Sequence, residues 1–136
     1  MKIAFLSWSF FPLVGGAQIF SLNLIKNLIK KGHQVDIYLP SQPYKDVKKL
    51  ENLNLNFIRI SNFESFQLKY YDKYLKNKFL KFQKQNCYDI WQVVGSYPPG
   101  YLLSELRSLV PVILRTHGED IQENSVLNYG SGLNPR

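Results

Sequence analysis

Cysteine is almost missing from the 136-residue sequence, and long apolar runs, internal repeats and low-complexity linkers are missing altogether. The lone Cys87 excludes an internal disulfide, and no Cys/His cluster has zinc-ligand spacing, so nothing points to an oxidising compartment or a structural metal. No apolar run approaches the roughly 18 to 20 residues that cross a bilayer, so an integral span is not expected. A Walker loop, a Ser/His/Asp order and an Asp-x-Asp pair are absent too. The last absence removes the usual carboxylate grip on a divalent cation bound to a diphosphate. Gly15-Gly16 does not extend to G-x-G-x-x-G, and the second strand runs out in Leu39-Pro40 instead of a ribose-binding acid, which disfavours a nicotinamide dehydrogenase.

A secretory leader is the competing reading of the first residues, with Lys2 ahead of an apolar stretch and Gly15 and Ala17 as small residues near a cut. Ser7, Ser9 and Pro12 interrupt that stretch, and a cut there removes the strand that the rest of the pattern requires. The expectation is one domain in a reduced, cytoplasmic setting.

What is present is a basic surplus, +7 overall, and it is uneven. Residues 26–84 hold 13 basic and 5 acidic side chains, so the remainder is close to neutral. One surface should therefore attract anions. The densest stretch, KYYDKYLKNKFLKFQK over 69–84, interleaves six lysines with aromatic and aliphatic residues. Such a helix suits an anionic membrane surface, with Lys73, Lys76, Lys78 and Lys81 as the membrane-facing candidates and peripheral contact at the inner face of a membrane as the outcome. An ordinary amphipathic helix with solvated lysines fits as well, and no recognised motif accompanies the charge to suggest nucleic acid.

Apolar strands alternate with amphipathic segments. Ile3 to Ser7 reads as a buried parallel strand. Gly15-Gly16 opens a helix in which Leu22, Ile25, Leu28 and Ile29 share a face, and Gly32 stops it. Strands follow at Gln34–Leu39, Leu55–Ile60, Asp89–Val94 and Val110–Leu114. Between them the pattern predicts a short basic helix over 43–53, a long helix over 64–85 and a Pro-initiated helix over 99–109. In the long helix Phe66, Tyr70, Tyr74, Leu75 and Phe79 make the expected apolar stripe. The fold class is α/β, a Rossmann-like doubly wound parallel sheet of strand order 3-2-1-4-5, whose ligand side is the carboxyl end of strands one and four.

Three loops land there. Gly15 and Gly16 let a ligand approach the amides of the following helix, whose N-terminus favours phosphate, although a glycine pair also serves a plain turn. Gly95 begins the loop after the fourth strand. Thr116-His117-Gly118-Glu119-Asp120 concentrates an imidazole, two carboxylates and a glycine after the fifth. His117 suits a hydrogen bond to a sugar hydroxyl or a developing charge, and Asp120 suits either fixing its tautomer or capping a helix. His33 lies at the opposite end of the sheet and reads as structural.

The opening MKIAFLSWSFFPLVGGAQIFSLNLIKNLIKKGHQVDIYLP resembles the start of the GT-B glycosyltransferases of family 4, in its strand, its F-P-x-x-G-G-A loop, its amphipathic helix and its K-G-H-x-V approach to strand two. YDIWQVVGSYPPGYLL is similar to that family's fourth strand and loop, and VPVILRTHGEDIQ to its fifth strand and His-containing loop. The resemblance implies the N-terminal, acceptor-side domain of a two-domain transferase that moves a sugar from a nucleotide-sugar donor to a carbohydrate or lipid-linked acceptor with retention, without metal or cofactor. It implies that Gly15 and Gly16 approach the donor diphosphate and that His117 contacts the transferred sugar as the catalytic residue. Gly95, Gly118, Glu119 and Asp120 would shape donor and acceptor binding. Where the family often has a His after its fourth strand, this chain has Gln92-Val93-Val94-Gly95. The family's basic pair and E-x7-E segment belong to a second domain with no counterpart within these residues, so the expectation is an incomplete domain that turns over no sugar alone. Two alternatives stay open, a half-enzyme completed by a separate donor-domain chain and a non-catalytic α/β interaction module.

Overall fold

The computed structural model describes residues 1–7, 10, 15–40, 53–58, 68–95, 100 and 103–117. Five strands, β1 (Lys2–Ser7), β2 (Gln34–Pro40), β3 (Asn54–Ile58), β4 (Ile90–Val94) and β5 (Val112–Arg115), form one sheet in the order β3-β2-β1-β4-β5. All four pairings are parallel. This is the anticipated doubly wound α/β arrangement, with the reversal between β1 and β4.

A parallel sheet must be covered on both faces, because its crossovers place helices there. Alternation divides the strands accordingly. Ile3, Phe5, Val35, Ile37, Leu39 and Val94 point to one face, where Ile25 of α1 (Gly16–Lys30) completes the buried cluster. Ala4, Leu6, Tyr38, Trp91 and Val93 point to the other, against Leu75 and Phe79 of α2 (Leu68–Asn86), Leu106 of a short 3₁₀ turn (Ser104–Ser108) and Leu103 just before it. Trp91 is the anchor of that second face. Its ring stacks on Tyr38 at 5.3 Å, meets Phe79 and Tyr88 edge-on, and donates its indole N–H to Gln83 Oε1 at 2.7 Å.

α1 ends as its glycine implies. Gly32 takes a φ of 83°, its N–H bonds the Ile29 carbonyl, and the N–H of His33 bonds the Leu28 carbonyl. His33 then faces the N-terminal ammonium, 3.5 Å from Nδ1, at the amino end of the sheet and away from the ligand side.

Several elements differ from the sequence reading. The apolar stripe of α2 is Leu75, Phe79 and the partly buried Phe82, while Tyr74 is 55% exposed. One residue of helical rotation separates Tyr74 from Leu75, and the sheet accepts only one of them. Phe66 lies outside the described residues, as do nearly all of the basic helix expected over 43–53 and the first turn expected for the long helix. Within the span 99–109 expected to be helical, the described residues Ser104–Ser108 take 3₁₀ geometry, and Ser108 Oγ bonds the Glu105 carbonyl three residues back. β5 starts two residues later than expected, because Pro111 has no N–H to give and instead its carbonyl accepts from Trp91 N at 3.0 Å.

One buried polar chain was not legible in the pattern. Asp36, 4% exposed, sits on the α2 face of β2 and accepts the Tyr88 hydroxyl at 2.7 Å. Tyr88's one proton is thus committed, so its oxygen, 2.6 Å from that of Tyr38, accepts from Tyr38. Burial raises the pKa of both phenols above the ordinary value; the Asp36 charge adds to the rise in both, while at Tyr38 the bond to Tyr88 opposes it. The Lys2 ammonium closes the amino end, donating to the Asn86 carbonyl at 3.1 Å, while the Lys2 N–H bonds Asp89 Oδ2.

Replacing Tyr88 by Phe leaves a buried carboxylate short of a donor and is expected to cost about 1–3 kcal/mol in urea unfolding. Tyr38→Phe, which removes a donor that Tyr88 can lose more easily, should cost less. A phenol whose pKa rises on folding adds stability that is intact below the unfolded value near 10 and disappears as pH climbs through the folded value. Spectrophotometric titration should therefore show Tyr38 and Tyr88 ionising only with alkaline unfolding, and independent ionisation of all nine tyrosines would contradict the network.

Candidate functional site

β1 and β4 are neighbours in the sheet, yet the chain leaves them in opposite directions, toward α1 from one and toward β5 from the other. A crevice at the carboxyl ends follows from that divergence. In register, Ser7, Val94 and Arg115 form one row across the ends of β1, β4 and β5. The chain beyond β1 reaches Gly15-Gly16, that beyond β4 reaches Gly95, and that beyond β5 reaches His117. All four therefore stand at one rim of the sheet.

Glycine is not required at 15 or 16 by backbone strain. Gly15 is extended, with φ −168°, as any residue can be. A Cβ there would meet the movable end of Gln18, and a Cβ on Gly16 would meet nothing within 4 Å. Gly16 is exposed. α1 begins with no side-chain cap and no acid in its first turn, and its leading amides and the positive end of its dipole face the rim. Neither glycine places a side chain in front of those amides.

The β5 side of the rim supplies a cation and an imidazole. Arg115 points to the α1 face, and its guanidinium carbon lies 3.4 Å from the centroid of the Phe20 ring, one turn into α1. That contact ties the helix opened by the glycine pair to the strand that delivers His117. Arg115 Nε is shielded from solvent and has no hydrogen-bond partner among the described residues. His117 is half-buried with Nε2 shielded. Gly118, Glu119 and Asp120 lie outside the described residues. Gly95 has a different role from the other glycines. Its φ of 96° favours glycine, its N–H bonds the Arg115 carbonyl at 3.0 Å and its carbonyl accepts from Gly100, so it offers a ligand no free amide.

The family model described as Glycosyltransferase Family 4 matches residues 14–133, most of the chain and all three rim loops. The chain belongs to glycosyltransferase family 4. A curated relative, N-acetyl-alpha-D-glucosaminyl L-malate synthase of Bacillus anthracis, is 25% identical over 128 residues, covering 91% of this chain and 33% of the relative. Among solved structures, MurG of Acinetobacter baumannii superposes with a TM-score of 0.61 at 17% identity, over 85% of this chain and 34% of MurG. Sucrose-phosphate synthase of Thermosynechococcus elongatus gives 0.57 at 16%, over 85% and 32%. The chain spans about a third of the length of these relatives. Its fold is that of the N-terminal domain of a GT-B transferase.

The lysines of α2 in this family 4 domain are not equivalent. Lys73 and Lys81 are exposed, with Lys84 on the same outward stripe of α2. Lys78 lies 5.7 Å from the Tyr74 ring centroid and 5.9 Å from that of Phe82. Lys76 departs from the membrane-facing set: its side chain is 14% exposed and its ammonium pairs with Glu105 at 3.4 Å, which turns it toward the 3₁₀ turn. Among the described residues no helix is long and apolar enough to cross a membrane.

Sequence reasoning passed over Arg115 and Phe20. A charge ending the apolar run VPVIL was the available signal for the first, and the second had none. Gly16→Ala separates the two explanations of the glycine pair. Replacing an exposed, first-turn helical glycine should leave stability unchanged or raise it by up to about 1 kcal/mol, while weakening nucleotide-sugar binding by roughly tenfold. A loss of stability with binding intact would make the glycine a purely structural residue.

Proposed function

We propose that this domain is the acceptor-side half of a retaining, metal-independent transferase that moves a sugar from a nucleotide-sugar to a carbohydrate or lipid-linked acceptor. The reading is carried by one arrangement: an uncapped helix start behind open glycines, and a strand ending in Arg115 with His117 two residues on, joined at one rim by the Arg115–Phe20 contact. Family membership supports glycosyl transfer as the chemistry. In that reaction the bond from the anomeric carbon to the diphosphate oxygen breaks and a bond to the acceptor oxygen forms on the same face. The acceptor proton leaves with the diphosphate. Negative charge grows on the departing group, so amides of the α1 start are suited to it and no cation is required. His117 is suited to a hydroxyl of the transferred sugar.

A donor-side half, from further sequence or from a separate chain, completes the cleft in this reading. Residues 1–136 alone are then expected to release no nucleoside diphosphate from any of a panel of nucleotide sugars, since transfer needs both substrates held in line. Turnover by these residues alone would refute the half-site. Weak nucleotide-sugar binding, followed by saturation-transfer NMR, should fall roughly tenfold in His117→Ala. Equal binding in that variant removes His117 from the site.

A second reading, contact with an anionic membrane, is favoured by the outward stripe of Lys73, Lys81 and Lys84 beside exposed Tyr74. Sedimentation with vesicles containing phosphatidylglycerol should recover the protein, less so at high salt. Replacing these three lysines by Gln should abolish recovery, whereas Lys76→Gln should not, because Lys76 is already paired. Recovery unchanged by the triple substitution excludes this face.

A further inference from the structure

Arg115 stands at the rim, and glycosyl transfer as set out above gives it only a bracing role. Several observations say more. One flat face of its guanidinium is covered by Phe20, at 3.4 Å from the ring centroid. Its Nε is shielded from water and is without a hydrogen-bond acceptor among the described residues. A guanidinium held by its face keeps its edge, where its N–H groups lie in one plane. That fork fits the two oxygens of a carboxylate or phosphate. Partial removal from water strengthens such a pair relative to one on an open surface.

Position adds to this. Arg115 falls in the row Ser7, Val94, Arg115 at the carboxyl ends of the three strands that bound the crevice, and two residues before His117. An arginine meant only to stay soluble would extend into water. This one is folded back over an aromatic ring of the helix that begins at the glycine pair.

We propose that Arg115 binds an oxyanion of the substrates in this crevice, with Phe20 as the platform that fixes the guanidinium. The inference rests on the reading of the rim as a glycosyl-transfer site. The oxyanion has two sources, the diphosphate of the donor or a carboxylate of an acidic acceptor. Both present the same planar pair of acceptor oxygens, so the test uses one probe for each.

Residues 1–136 are titrated with inorganic pyrophosphate and, separately, with succinate, following the amide signals of Gly16, Phe20 and His117 and the Nε–H signal of Arg115 by NMR. At least one anion is expected to give saturable shifts at about millimolar concentration, weakened about tenfold in Arg115→Gln and only a few-fold in Arg115→Lys, which keeps the charge but not the fork. Pyrophosphate alone assigns the donor, and succinate alone assigns the acceptor. Phe20→Leu, which keeps Arg115 and uncovers its face, should weaken the same titration several-fold and serves if Arg115→Gln fails to fold. No saturable shift at about 10 mM of either anion, or affinity within about twofold of the native chain in the folded variants, overturns the proposal. If His117→Ala still weakens nucleotide-sugar binding roughly tenfold while Arg115→Gln leaves anion binding intact, only the role of Arg115 is lost. If nucleotide sugars do not bind but the anions do and need Arg115, the oxyanion site stands and glycosyl transfer falls.

Discussion

The parallel pairing of β1 with β4 is the constraint on which the rest depends. Residues 3–7 lie against residues 90–94, and the intervening chain has to cross over each face of the sheet to make that pairing possible. α1 covers one face and α2 the other, and the apolar faces of the strands divide between them. The same pairing sends two loops apart at the carboxyl end. A crevice exists there because no single connection can bridge strands whose continuations diverge.

The two sides of the domain treat polar groups differently. On the α2 face, toward the amino ends, Asp36, Tyr88 and Tyr38 satisfy one another in a closed chain, and Lys2 meets the last carbonyls of α2. Nothing in that chain is offered to a ligand. At the carboxyl rim the α1 start and Arg115 differ. The first amides of α1 have no side-chain cap, and the guanidinium of Arg115 is braced by an aromatic ring instead of a carboxylate from the described residues. Satisfied polar groups stabilise a fold, whereas a held but unsatisfied one is ready for a substrate.

Charge is arranged on a third surface. The lysines of α2 give the domain much of its net positive charge, but helical geometry sorts them. Lys73 and Lys81 turn outward, Lys78 lies along aromatic rings and Lys76 bends to Glu105. A count of lysines treats these four alike, although only the outward ones can meet a distant surface.

Element order, the parallel sheet, the helix start at Gly16 and the stop at Gly32 were readable from residue pattern, because apolar period and glycine punctuation are properties of a few adjacent residues. The gathering of Gly15, Gly16, Gly95 and His117 at one rim was readable as well, since it follows from topology. Which side of α2 faces the sheet, where β5 begins and how the lysines divide were decided by packing. So were the partners of Asp36 and the stacking of Arg115 on Phe20. Tyr88 and Asp36 are 52 positions apart and Arg115 and Phe20 lie still farther apart, so no local period relates them. Only after the strands pair do these side chains share a surface, and their chemistry belongs to that shared surface.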